Sequence, residues 1–100
     1  MSVKNDIRLF SRYWNEDGSQ HMEGVYLDVE KERPYRIHSE MYYRGAGYAG
    51  EQSRPLYLTF HEMRAYARSF GKEVSEDEYR RIENLNETNV REFIEKYGRK

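Results

Sequence analysis

The sequence predicts an α+β fold, an antiparallel meander of three to four strands followed by two or three short helices packed on one face. Two observations predict it. Residues 7–44 alternate apolar and polar side chains with the period of two that half-buried strands need. Residues 59–97 instead carry apolar side chains at helical spacing behind two capping signatures. Between them lies the stretch 42–57, YYRGAGYAGEQSRPLY, with three of the chain's seven glycines. One domain over 1–100 is expected: a β half at about 7–44, a glycine-containing connection at 45–55 and a helical half at about 59–97.

The first strand, IRLFSRYW over 7–14, places Ile7, Leu9 and Tyr13 opposite Arg8, Phe10, Arg12 and Trp14. The second, about 22–30, sets Val25, Leu27 and Val29 against Tyr26, Asp28 and Glu30. The third, 35–44 after Pro34, sets Tyr35, Ile37, Met41 and Tyr43 against Arg36, His38, Glu40, Tyr42 and Arg44. Register follows from the turns. A two-residue turn at Asp17-Gly18 would pair Phe10 with Val25 and drive Arg8 opposite Leu27. A three-residue loop at Glu16-Asp17-Gly18 pairs Leu9 with Val25 and Ile7 with Leu27, which gathers the aliphatic side chains and is preferred. A three-residue loop at Glu32-Arg33-Pro34 then pairs Val29 with Ile37 and Val25 with Met41. On the outer face that register sets Glu30 across from Arg36, Asp28 across from His38, and Gly24 between the rings of Phe10 and Tyr42.

Leu56 to Leu58 can add a short fourth strand. Thr59 with Glu62 and Ser75 with Glu78 read as capping boxes, and Gly71 and Gly98 as helix stops. Phe60, Met63, Ala67 and Phe70 form the first apolar stripe, Tyr79, Ile82 and Leu85 the second, and Val90, Phe93, Ile94 and Tyr97 the third. Helices this short are marginal alone, so the sheet face bearing Ile7, Leu9, Val25, Leu27, Val29, Ile37 and Met41 is their expected partner.

Composition narrows the function. Hydrophobic residues make up 37% of the chain and charged residues 35%, but the 15% aromatic content, ten tyrosines among it, is more than a disordered chain carries. A formal charge of −1 gives no overall field toward nucleic acid or anionic lipid. Without cysteine there is no disulfide, thiolate nucleophile or cysteine-based metal site. No apolar run suggests a signal peptide or a membrane span, so the expectation is a cytoplasmic protein with no membrane partner. Asn86-Glu87-Thr88 matches a glycosylation sequon but is read as ordinary linker sequence.

No catalytic, cofactor or metal site is assigned. His61-Glu62 lacks the second histidine of a helical zinc motif, because position 65 is Ala65, and Glu62 is explained as a cap. Gly45, Gly47 and Gly50 miss the dinucleotide-loop spacing, and the phosphate-loop lysine is absent. The run Arg44-Gly45-Ala46-Gly47-Tyr48 is similar to the basic-glycine-aromatic strand of RNA recognition motifs, whose alternating element order this chain lacks.

What stands out is a set of arginines and aromatics at one end of the sheet: Arg12, Trp14, Tyr42, Arg44 and Tyr48. These residue types dominate protein-binding hot spots and also stack on bases. The expected function is therefore a non-enzymatic protein-binding module, such as a small inhibitor or accessory factor of the phage or mobile-element type acting on nucleic-acid machinery. Single-stranded nucleic-acid binding is the alternative, and binding of a small molecule or nucleotide signal a second one.

Overall fold

The computed structural model describes residues 5–45 and 47–98, without the Arg44 side chain. The order of elements is β1 (Ile7–Glu16), β2 (Ser19–Asp28), β3 (Arg33–Arg44), β4 (Gly47–Gln52), β5 (Leu56–Tyr57), α1 (Phe60–Phe70), α2 (Glu76–Ile82) and α3 (Val90–Tyr97). The strands form one antiparallel sheet in the order β1-β2-β3-β4, and β5 also pairs with β3. This is the expected α+β meander followed by helices. The glycine-containing segment differs from expectation, since most of it is strand β4 rather than a connection. No helix among the described residues is long and apolar enough to cross a membrane.

Both expected sheet registers are corrected, each by its turn. Asp17 and Gly18 both take left-handed backbone conformations (φ 50° and 78°), the signature of a two-residue type I′ turn that pairs Glu16 with Ser19. Phe10 therefore faces Val25, not Leu9 as the three-residue loop would have it. The clash feared for this turn, Arg8 opposite Leu27, is avoided by a β-bulge between Arg8 and Phe10, which restores Ile7 opposite Leu27. Leu9 and Phe10 are consequently buried side by side, which simple alternation cannot produce.

At the second turn the loop has four residues, 29–32, because Asp28 organises it. Its carboxylate accepts the amides of Glu30 and Lys31 (3.0 Å each), and its carbonyl accepts the Glu32 amide (2.8 Å). Asp28 pairs with Arg33, Val25 with Arg36 and Gly24 with Ile37, so the expected pairs Val29/Ile37, Val25/Met41, Glu30/Arg36 and Asp28/His38 do not form. The shift is by an odd number of residues, so it exchanges the two faces of β3. Met41 leaves the core as a result and Arg36 takes the face of Val25. Gly24 lies between Ser11 and Ile37 rather than Phe10 and Tyr42, and it is covered by Tyr26 and Met22.

The helices pack on the expected sheet face at Ile7, Leu9, Val25 and Leu27, but Ile37, opposite Gly24, lies with Met41 on the other face. Ile7, Leu9, Phe10, Val25 and Leu27 join Phe60, Met63, Ala67, Phe70, Ile82, Leu85, Val90 and Phe93 in one core, with Phe10 meeting the Phe70 ring edge-on at 5.3 Å. Both capping boxes form, Thr59 with Glu62 and Ser75 with Glu78. Asn86 is engaged in a local turn, accepting the amides of Thr88 (2.8 Å) and Asn89 (3.1 Å).

The helices cover only one end of the strands. Across from them the other sheet face carries a row of stacked or tilted rings, Tyr26, Tyr35 and Tyr57. Tyr35 and Tyr57 donate 2.6 Å hydrogen bonds to Asp6 and Asp28 respectively. The distal halves of the hairpins project past this core, which gives a molecule of 49 × 28 × 22 Å.

Candidate functional site

The projecting sheet, from about residue 11 on β1 to residue 52 on β4, has two unlike faces. Residues directly opposite one another share a face, and successive residues alternate, so the register assigns the described side chains.

One face continues the helical core. Arg12 follows Phe10, with its guanidinium 4.5 Å from the Phe70 ring and 5.2 Å from the Trp14 ring. It holds Glu23 through two nitrogens (3.1 and 2.8 Å), and Arg36 approaches the other oxygen of Glu23 at 3.4 Å. Both arginines are thereby tied to one carboxylate. Beyond them Trp14 lies nearly parallel to His21 (centroids 5.1 Å, 8°) and donates to Glu16 at 3.3 Å. His21 Nδ1 and His38 Nε2 are 3.1 Å apart while the ring centroids are 5.2 Å apart. Separations so different put the nitrogens between the rings, so the rings meet at their edges within hydrogen-bond distance. Glu40 stands 3.9 Å from the far nitrogen of His21. Among the described residues no group of three histidine, cysteine, aspartate or glutamate side chains is placed to hold a metal ion.

The opposite face is built from tyrosine, methionine and small residues. One cross-strand row is Tyr13, Met22, Ser39 and Gln52; the next is Asn15, Gln20, Met41 and Gly50; Tyr43 and Tyr48 follow. Ser39 and Gly50 lower the floor, and the result is a trough of about 380 Å³ that crosses all four strands. Tyr43 and Tyr48 meet edge to face at 5.4 Å. The side chains here face solvent: Tyr13 is 71% exposed, Met41 50%, Tyr43 63% and Tyr48 74%.

The structure divides the five residues singled out from sequence. Arg12, Trp14 and Tyr42 share the first face, Tyr48 lies on the second, and the Arg44 side chain is outside the described residues. Tyr13, Met41 and Tyr43 went unnoticed as surface residues. Alternation alone could not separate them from the core, because the face of Tyr13 depends on the bulge at Leu9 and that of Met41 and Tyr43 on the loop at 29–32. No family model matches the chain, and neither a curated protein nor a solved structure matches it.

Proposed function

We propose that this chain is a protein-binding module whose contact surface is the tyrosine–methionine face of the projecting sheet. One observation carries the reading: of six large hydrophobic side chains that remain exposed among the described residues, four (Tyr13, Met41, Tyr43 and Tyr48) fall on this one face. Apolar residues gathered in a patch, unlike the same residues scattered singly, are characteristic of interaction sites. Tyrosine and methionine suit the role, since tyrosine offers a large rigid ring with a polar tip and methionine repacks against irregular partners.

The arginine-bearing face favours this reading over single-stranded nucleic acid. Phosphate binding needs cations free to replace counterions. Arg12 and Arg36 are both committed to Glu23, and Glu40 and Glu51 stand directly opposite each other on the same face. The setting we favour remains that of a small inhibitor or accessory factor.

Affinity capture from a lysate of the native host, with nuclease added, tests the reading. A discrete protein retained by the native sequence and lost with Tyr43→Ser/Tyr48→Ser supports it. Retention that disappears on nuclease treatment or falls log-linearly with salt would move the function to nucleic acid.

A further inference from the structure

The two edges of the sheet are not equivalent. An edge strand presents a row of unpaired amides and carbonyls, and proteins commonly blunt such edges with charge, proline or bulges. β1 is blunted: it carries the bulge at Leu9, and Arg81 donates to the carbonyls of Arg8 (2.9 Å) and Leu9 (3.1 Å) there. Arg8, Arg12 and Glu16 add charge along it. β4, GYAGEQ, has no proline, no lysine and no bulge, and Glu51 is its one charge.

The hydrogen-bonding phase of β4 is fixed. Ser53 donates its amide to the His38 carbonyl at 2.8 Å and its hydroxyl accepts the His38 amide at 2.9 Å, so both backbone groups of His38 turn toward this side of β3. Alternation along the antiparallel ladder then gives the inward positions to Glu51, Ala49 and Gly47 and turns the amides and carbonyls of Tyr48, Gly50 and Gln52 outward. Among the described residues no strand pairs with them.

From this geometry we infer that β4 pairs antiparallel with β4 of a second copy of the chain, about a two-fold axis at Gly50. Gly50 faces the second copy's Gly50, and Tyr48 faces its Gln52. All three outward residues of each strand are then satisfied. Glu51 falls opposite Ala49, so the one charge on the edge avoids its counterpart, as a register centred on Glu51 would not. Met41 lies beside Gly50 in its own sheet, with its methyl 4.0 Å from where a Gly50 side chain would begin. The two-fold therefore builds a central row of Met41, Gly50, Gly50 and Met41 that joins the two troughs and extends the tyrosine–methionine face across both copies.

This inference rests on the edge and not on the proposed partner, so the two fail separately. A monomer that still captures its partner overturns only the pairing. Sedimentation equilibrium over a range of concentrations, with charge-swap variants, tests it. Gly50 has room for a side chain, its added Cβ meeting the Glu40 carbonyl at an ordinary 3.4 Å. The native sequence is expected to dimerise. Gly50→Lys and Gly50→Glu should each weaken association by about tenfold or more, by setting like charges face to face. Mixing the two variants should restore it as a heterodimer. A native protein that stays monomeric at all concentrations, a dimer indifferent to both variants, or a mixture that fails to re-associate would each overturn the inference. Should the variants not fold, amide exchange in the native protein decides: exchange at Tyr48, Gly50 and Gln52 slows with rising concentration if the edge pairs, and is unchanged if it does not.

Discussion

Gly24 and Asp28 are single residues on which the sheet turns. A methyl added at Gly24 would stand 2.8 Å from the Tyr26 ring, which is itself stacked on Tyr35, and 3.3 Å from the Met22 sulfur. Gly24→Ala should therefore destabilise by about 1–3 kcal/mol, the usual cost of overpacking, measurable as a lower denaturation midpoint at unchanged slope. Asp28 contributes to the pH response. Burial pushes its carboxyl up, but the Tyr57 hydroxyl and the amides of Lys31 and Glu30 outweigh burial and hold it below the ordinary 3.8. A carboxylate depressed by folding contributes stability that is present above its unfolded value and lost as the pH falls through the folded one. Tyr57 mirrors it: burial and the bond to Asp28 push the phenol up to about 12, so its share is present below pH 10 and lost as the pH rises from 10 through 12. Asp28→Asn should flatten the stability profile at both ends, and equilibrium unfolding across pH would show it. Sequence alternation marked Asp28 as an outward residue pairing with His38. It cannot reveal that a side chain will fold back to cap its own loop, and that one event reassigned the faces of β3.

At the scale of elements, the helices were legible because their signals are local. Thr59 and Ser75 each accept the amide of the glutamate three residues on, and that glutamate returns to the cap amide. Thr59→Ala and Ser75→Ala should each cost about 1 kcal/mol, read from thermal or denaturant unfolding. At the second box burial pushes the Glu78 carboxyl up, yet the Ser75 bonds and Arg8 prevail and keep it below its ordinary value. Strands depend on partners, so their existence was legible and their register was not. The Asp17-Gly18 turn pointed to Phe10 opposite Val25 and the aliphatic pattern pointed to Ile7 opposite Leu27. Only a bulge satisfies both, and no residue type announces a bulge at Leu9. β4 was hidden for a related reason: glycine and alanine at 47, 49 and 50 carry no alternation.

For the whole molecule, the decisive fact is that the sheet outruns its helices. The residues expected to form an arginine–aromatic cluster, Arg12, Trp14, Tyr42, Arg44 and Tyr48, all belong to strands of the projecting sheet. The set mixed two faces, because the face of each strand follows from turns that pattern alone misreads. A photo-crosslinking residue placed at Tyr48, with a second placed at Glu95 on α3 as control, in lysate of the native host tests the central claim most directly. The account predicts a discrete, nuclease-resistant adduct with a protein other than a second copy of the chain, formed from position 48 and absent from position 95. Adducts with nucleic acid, or a protein adduct formed only from position 95, would contradict it.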